Sequence, residues 1–172
     1  PLFPTRSSPM NKTAHPWLCL LAAALGSTSA TACEVVAEHA WIRLAPPNAP
    51  VLAAYVNLRN PGEQSAPLTA ASSADFERVE MHQMSMDGGV MQMRKLDMIE
   101  VKVGETRELK PGGDHLMLYG AKRALQQGDK VTLTLTLCPE KTQDVEFTVL
   151  EQAPEGAPQG DHEHHDHHEH AH

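Results

Sequence analysis

The sequence predicts an all-β fold, a two-sheet β-sandwich, from three observations. Between residues 34 and 151, short segments alternate apolar and polar residues, as half-buried strands do. Turn-forming residues separate these segments at short intervals, and no stretch of useful length has a helical period. The chain has 172 residues, which suits one modest domain with additional residues at its ends. Many short strands at this spacing are typical of a sandwich.

The predicted strands follow one another without an intervening helix. In order they are Val35–Leu44, Leu52–Leu58, Arg78–Met84, Val90–Leu96, Glu100–Val103, His115–Tyr119, Lys130–Leu137 and Asp144–Leu150. The segments between them are rich in Pro, Gly, Asn and Asp, which favour turns because of their backbone preferences or local side-chain hydrogen bonds. The stretch Ala71–Phe76 is compatible with one helical turn.

Both ends of the chain differ from this pattern. From Met10 a polar start with Lys12 leads to an apolar stretch, Trp17–Leu25, and then to small residues ending at Ala32, which is the layout of a secretory signal. The apolar stretch is shorter than the roughly 20 residues that span a bilayer, so we expect no membrane span. We therefore assign residues 1–32 to upstream sequence and a signal peptide, 33–151 to the domain and 152–172 to a disordered His-rich tail. Export predicts a periplasmic location.

Export also bears on the cysteines. Cleavage after Ala32 leaves Cys33 and Cys138, and two cysteines in an oxidising compartment usually pair. A Cys33–Cys138 disulfide would close a loop of about 100 residues and stabilise the domain by about 2–4 kcal/mol. The alternative is that Cys33, directly after the cleavage site, carries a lipid anchor.

Composition excludes several classes of function. The formal net charge is −8, and no basic patch with interleaved aromatic residues is present, so nucleic acid is not an expected partner. No Ser-His-Asp order, Cys-His pair or carboxylate pair suggests catalysis, so we do not expect an enzyme. We expect a monomer.

Methionine is concentrated in one predicted hairpin. Five of the eight methionines lie between Met81 and Met93. A loop at Asp87-Gly88 would set His82 opposite Met93 and Met84 opposite Met91, whereas a loop at the following two glycines would pair Met84 with Met93. In either register His82 and Met93 share a face, because strand side chains alternate with period two.

A second His/Met pair lies on a later strand. His115 and Met117 are two residues apart and therefore project from one face, while Leu116 points to the other. Thioethers are neutral, soft ligands that suit Cu(I). We predict a Cu(I) site formed by His82, Met93, His115 and Met117, with Met84 and Met91 as an auxiliary pair.

Other candidate ligands are interpreted differently. We interpret Met81, Met86 and Met98 as packing residues, since methionine on an apolar strand usually fills a core. His39 on the first strand is interpreted as a structural residue. A blue-copper electron-transfer site would need a cysteine thiolate with two histidines, and no histidine follows Cys138 before the tail.

The spacing His82-x10-Met93-x21-His115-x-Met117 resembles the signature of the PCu(A)C family of periplasmic copper chaperones. The segments Ala40-Trp41-Ile42-Arg43 and Leu109–His115 agree with this resemblance. It implies a cupredoxin-like Greek-key β-sandwich that binds Cu(I) through the four side chains. It also implies two partners, the copper A-bearing subunit of cytochrome c oxidase and a thiol-containing copper assembly protein.

The tail is a second candidate metal site. Seven histidines alternate with acidic residues there, and imidazole clusters prefer Cu(II), followed by Ni(II) and Zn(II). We predict that the tail captures Cu(II); the alternatives are a Zn(II) or Ni(II) buffer and a purification tag, against which the interspersed acidic residues argue. For the protein as a whole, the alternative function is periplasmic copper or zinc buffering or resistance without a dedicated oxidase target. The tail histidines are His162, His164, His165, His167, His168, His170 and His172.

Overall fold

The chain forms ten β-strands and no helix within the residues that the structure, a computed structural model, describes: 34–47, 49–138 and 141–157. The predicted signal peptide, Cys33 and the seven tail histidines lie outside these ranges. The strands are β1 Val36–Arg43, β2 Val51–Arg59, β3 Ala66–Ser72, β4 Phe76–Asp87, β5 Val90–Leu96, β6 Ile99–Val101, β7 Thr106–Leu109, β8 Asp114–Ala121, β9 Lys130–Leu137 and β10 Lys141–Leu150. The all-β prediction is confirmed.

Two strands and one turn depart from the sequence prediction. β3 contains a proline and few β-branched residues, and β7 has only four residues, so neither carries a strong strand signal. The predicted helical turn at Ala71–Phe76 is wrong. Ala71 and Ser72 pair with β9 instead, and β4 begins at Phe76. Tertiary pairing therefore overrides a weak local helical preference.

The strands form one hydrogen-bonded path that closes around a core. Their order is β5-β4-β8-β2-β1-β10-β9-β3-β6, with β7 paired to β2, and only β1 and β10 among these pairs run parallel. β3 also contacts β4, which brings distant parts of the path together. Fully buried residues from both ends of the strand order belong to one apolar cluster, for example Leu116 and Leu118 of β8, Leu133 of β9 and Phe147 of β10. The inward residues alternate with outward ones, as the two-fold strand period requires.

The described residues include one of the two cysteines of the predicted disulfide, Cys138. Cys138 is buried, belongs to the core cluster and is disulfide-bonded. Its backbone N–H donates to the carbonyl oxygen of Pro67 over 2.9 Å, at a positive φ of 61°. Cys33 lies outside the described residues, so its pairing with Cys138 stays a prediction.

A short C-terminal segment, residues 151–157, covers part of the outer surface. Ala157 is buried against Trp41 and Tyr55, forming an apolar cluster separate from the core. Gly156 passes so close to the His39 ring that a Cβ on Gly156 would lie 2.8 Å from an imidazole carbon. Gly156 also has a φ of 81°, so both space and backbone conformation favour glycine there.

Candidate metal centre

The β4–β5 hairpin sets the register of the predicted ligands. Its loop is Gly88-Gly89, and both residues have positive φ, 57° and 80°, as a two-residue type I′ loop requires. Met84 consequently pairs with Met93, and His82 pairs with Lys95. The prediction that His82 lies directly opposite Met93 is therefore wrong. The loop lies one residue later in the chain, which is the alternative register, with Met84 opposite Met93. His82 and Met93 still share a face.

The pairing of β4 with β8 brings the two histidines together. His82 lies directly opposite His115, with ring centroids 6.1 Å apart. Met117, two residues along β8, lies opposite Glu80, while Met93 on β5 is displaced toward the hairpin loop. A step of two residues along a strand spans about 7 Å, so the two methionines flank the histidine pair on opposite sides. All four predicted ligands thus project from one face of three adjacent strands.

A backbone carbonyl fixes the orientation of His115. Its Nδ1 lies 2.9 Å from the carbonyl oxygen of Gly113, which can only accept, so Nδ1 carries the proton and donates. Nε2 then keeps its lone pair for a metal, because a hydrogen bond from one ring nitrogen of a metal-ligating histidine usually fixes the proton there and leaves the other nitrogen free. Burial is the main cause that lowers the pKa of His115, which favours the neutral form that coordinates.

A carboxylate orients His82 in the opposite sense. Nε2 of His82 lies 3.0 Å from Oε2 of Glu80, so Nε2–H donates to the carboxylate. Nδ1 of His82 is buried and has no hydrogen-bond partner among the described residues. A buried ring nitrogen with a lone pair and no partner is costly, and a metal ion at that atom would satisfy it. The two imidazoles therefore offer Nδ1 of His82 and Nε2 of His115.

Cations hold the Glu80 carboxylate in its ionised form. Oε1 accepts from Lys95 Nζ at 2.9 Å and lies 3.1 Å from Arg78 Nε. The hydrogen bond from His82, followed by that from Lys95, lowers the pKa of Glu80 to about 2. Glu80 is consequently a permanent acceptor for the His82 N–H at any pH near neutrality.

Met117 also has a polar neighbour. The Tyr119 hydroxyl donates to Sδ of Met117 over 3.5 Å, and the Arg78 guanidinium lies over the Tyr119 ring, 4.2 Å from its centroid. A thioether sulfur is a weak acceptor, so this contact orients the side chain while costing little to break. Arg78 therefore contacts the supporting residues of both a histidine and a methionine.

The opposite face of these strands is tied by a buried polar network. Asp114 is buried, and its carboxylate accepts from Arg107 Nε at 3.0 Å, from Arg107 Nη2, and from Gln83 Nε2 at 3.0 Å. Arg94 in turn donates to Gln83 Oε1 over 2.8 Å. Strands β4, β5, β7 and β8 are joined by these bonds directly behind the histidine pair, which keeps the ligand face rigid.

Aromatic rings border the site on its other side. The Trp41 and Tyr55 rings stack with centroids 4.8 Å apart, and Tyr55 lies 6.5 Å from His115. Burial raises the pKa of Tyr55, so its hydroxyl stays protonated.

Sulfur is the donor type that methionine adds to the two imidazoles on this face. Within the described ranges, no three His, Cys, Asp or Glu side chains are grouped so that they could hold a metal ion. Two imidazoles and the neighbouring thioethers are the predicted donors on this face, where the Glu80 carboxylate is already bonded to His82 and Lys95, and that mixture suits Cu(I) better than Zn(II) or Mg(II). The auxiliary candidates Met84 and Met91 lie on the same face, half-buried and exposed respectively.

Some sequence interpretations of single residues require correction. Met81 is buried in the core as predicted, whereas Met86 and Met98 are exposed and do not fill the core. Glu80 and Tyr119, which contact the predicted ligands His82 and Met117, were not predicted from the sequence. The signal for both was available, because each lies two residues from a predicted ligand on the same strand face.

The fold and this face define a cupredoxin-like Greek-key β-sandwich with a surface cluster of His and Met side chains. The chain belongs to the LpqE-like family: the family model described as "Putative lipoprotein LpqE-like" matches residues 35–149. A relative in Leifsonia xyli, "Putative lipoprotein Lxx21020", is 28% identical over 116 residues, covering 67% of this chain and 69% of the relative. The Rickettsia prowazekii protein RP573, described as uncharacterized, is 36% identical over 83 residues, 48% of this chain and 46% of that protein.

Solved structures with the same fold include PCuAC domains. Apo-DR1885 from Deinococcus radiodurans has a TM-score of 0.55 at 26% identity, covering 88% of this chain and 95% of that one. The Cu(I) form of DR1885 has a TM-score of 0.56 at 27% identity, covering 74% and 83%. The copper-bound PCuAC domain from PmoF2 has a TM-score of 0.58 at 21% identity, covering 74% and 97%. The resemblance to the PCu(A)C family and the cupredoxin-like fold expected from it are confirmed.

Two observations concern a possible association with membranes. The family model and the Leifsonia xyli relative carry lipoprotein descriptions. In the part of the chain that the structure describes, no helix is long and apolar enough to cross a bilayer.

Proposed function

We propose that this protein is an exported, non-enzymatic copper chaperone that binds Cu(I) through His82, Met93, His115 and Met117. The observation that carries the proposal is the complementary state of the two imidazoles. Each has one N–H donated to a fixed acceptor, Glu80 or Gly113, which leaves Nδ1 of His82 and Nε2 of His115 free on one face. Thioethers flank this pair on both sides.

The chemistry of these ligands suits transport of Cu(I). Two neutral imidazoles and two neutral thioethers add no charge to the ion. Protons do not compete with the metal for thioether sulfur. Met93 is 49% exposed, so a ligand of an acceptor protein can approach the copper at that corner without unfolding the domain. Exchange of ligands one at a time is the route by which a carrier releases a metal that it binds tightly.

Ligand substitution tests this assignment. Met93→Leu and Met117→Leu are expected to lower Cu(I) affinity by more than the 10–100-fold that loss of a mere supporting residue costs. Folding should survive, because exchange of methionine for leucine usually costs less than about 1.5 kcal/mol. Met98→Leu is the matched control, since Met98 is an exposed methionine next to the strand that carries Met93. Affinity is measured by anaerobic competition with a chromophoric Cu(I) chelator, and X-ray absorption counts sulfur and nitrogen ligands. An unchanged affinity in both variants would refute the site.

The proposed destination of the copper is the copper A centre of cytochrome c oxidase. The resemblance to the PCu(A)C family supports this destination, and the thiol-containing assembly partner is proposed on the same basis. The test mixes the Cu(I)-loaded protein with the soluble copper A domain, with and without such a partner, and follows the copper A absorption. Transfer to the domain at a rate no faster than from free Cu(I) chelate would contradict a dedicated delivery role and favour copper buffering.

The tail is proposed to capture Cu(II). Support comes from seven histidines alternating with acidic residues after Asp161. Truncation after Gly160 should remove most Cu(II) capacity and leave the sulfur-containing Cu(I) site intact, as measured by electron paramagnetic resonance and X-ray absorption. Equal binding of Zn(II) and Cu(II) by the full chain under competition would favour metal buffering instead.

A further inference from the structure

The outer part of the β4–β5 hairpin carries a regular methionine pattern beyond the histidine pair. Pairing of β4 with β8 ends at Gln83, one more backbone hydrogen bond runs from Met84 N–H to the Gly113 carbonyl, and the hairpin then continues as a two-stranded arm. Two directly opposed pairs lie on this arm, Met84 with Met93 and Met86 with Met91. Opposed side chains in an antiparallel pair have Cβ atoms about 4.5–5.5 Å apart and share a face. We call these four residues the methionine ladder.

Core packing does not explain the ladder. Met86 is 69% exposed and Met91 is 60% exposed, and no ladder residue belongs to the core cluster, whereas Met81 does. The other face of the arm carries Ser85, Asp87, Val90 and Gln92, so the methionines are segregated on one side. Leaving thioethers in water forgoes the roughly 1.5–3 kcal/mol that burial of each side chain would contribute. Their position therefore calls for a ligand rather than for a packing role.

Geometry and chemistry agree on the class of ligand. Methionine has three rotatable bonds, so opposed and diagonal sulfur atoms can converge on one ion even though their Cα atoms are fixed by the sheet. A set of thioethers without imidazole or carboxylate selects a soft monovalent ion such as Cu(I) and offers little to Zn(II), Mg(II) or Ca(II). The ladder also lies on the same face as His82, and about 7 Å separates Met84 from it along the strand.

We propose that Met84, Met86 and Met91 form a second Cu(I) site, distinct from the His82–His115 centre and adjoining it at Met93. The second site is weaker, because it lacks imidazole donors and because its ligands are exposed to water. Copper bound there is one strand step from the His82 centre, so the ladder is placed to load or unload that centre. This last role rests on the proposed chaperone function, whereas the existence of the site does not.

The test is an anaerobic Cu(I) titration of the full mature chain, labelled with carbon-13 at the methionine methyl groups and followed by NMR. The first equivalent is expected to shift Met93 and Met117, and a later equivalent to shift Met84, Met86 and Met91 together. The variant Met84→Leu/Met86→Leu/Met91→Leu should bind one Cu(I) fewer than wild type and keep the affinity of the first. Met98→Leu is the control, with the stoichiometry unchanged.

Each result has a defined meaning. Methyl groups of Met84, Met86 and Met91 that stay unshifted, or a triple variant that binds as many Cu(I) ions as wild type, would overturn the second site. Methyl groups of these three residues that shift with the first equivalent, together with a loss of first-equivalent affinity in the triple variant, would also overturn it, because the three residues would then belong to the His82 centre. Failure of the proposed function is separate. It would appear as unshifted Met117 at the first equivalent, whatever the ladder does.

Discussion

Replacement of Glu80 by glutamine tests the link between hydrogen bonding and metal affinity at this site. The Glu80 carboxylate accepts the Nε2–H of His82 at 3.0 Å and is held ionised by Lys95 and Arg78, with a pKa of about 2. Glutamine has one acceptor oxygen, and the two cations compete with His82 for it. If the amide NH₂ turns toward His82, Nε2 must become the acceptor, and the proton then moves to Nδ1. The lone pair proposed to bind Cu(I) is lost in that tautomer.

The expected size of the effect follows from this tautomer argument. Loss of a hydrogen-bonding partner behind a metal-ligating histidine typically lowers affinity 10–100-fold, equivalent to about 1.4–2.7 kcal/mol. We expect Glu80→Gln to fall in this range for Cu(I) at neutral pH. Asp97→Asn is the matched control, because it removes the same charge at an exposed position in the turn after β5. It should change affinity by less than about twofold, since an exposed charge at a distance is screened by salt.

Two measurements decide the case. Chelator competition gives the Cu(I) affinity of wild type and both variants, and nitrogen-15 NMR of the metal-free proteins reports which ring nitrogen of His82 carries the proton. A Glu80→Gln protein with the proton still on Nε2 and with wild-type affinity would refute the argument. An equal loss in Asp97→Asn would assign the effect to net charge and would refute it as well.

Three further predictions concern the stability of the domain. Asp114→Asn removes a charged acceptor of bonds from Arg107 and should cost about 2 kcal/mol in urea unfolding, whereas Glu108→Gln, in an exposed pair, should cost less than about 0.5 kcal/mol. In the metal-free protein the pKa of His115 is lowered from its ordinary 6.5, so the stability that neutral His115 contributes is complete above pH 6.5 and is lost as the pH falls. His115→Asn should therefore make the free energy of unfolding depend less on pH just below 6.5. Phe147→Ala should cost about 3–5 kcal/mol, measured by thermal and chemical denaturation, because Phe147 is fully buried in the core.

Sequence patterns carried most of the fold because strand alternation and turn chemistry are local. β9 has the bounds predicted for it because it alternates cleanly, whereas β5, which is exposed along almost its whole length, has its predicted bounds because a Gly-Gly turn marks its start. β3 and β7 were missed because their stability comes from pairing with β6, β9 and β2 rather than from their own composition. Non-local pairing of this kind leaves no local signal.

The site could be predicted only in part, for a related reason. The two-residue period placed His82 with Met93 and His115 with Met117 on shared faces, but the hairpin register depends on which residues adopt positive φ in the loop. Asp-Gly and Gly-Gly both favour such loops, so sequence left the register open. The alignment of His82 with His115 depends on the pairing of β4 with β8, which are separated by three other strands in the sequence.

The supporting contacts restrain the proposed ligands before any metal is bound. An exposed His/Met cluster with free rotamers would have to order its side chains at the moment of binding, and that entropy would reduce affinity. Here Gly113 and Glu80 hold the two imidazoles, and Tyr119 contacts the Met117 sulfur before any ion is bound. Only Met93, on the edge strand β5, lacks such a contact among the described residues. The ligand that is least restrained is therefore the one nearest to solvent, and the same asymmetry that preorganises binding leaves one side of the centre free to exchange.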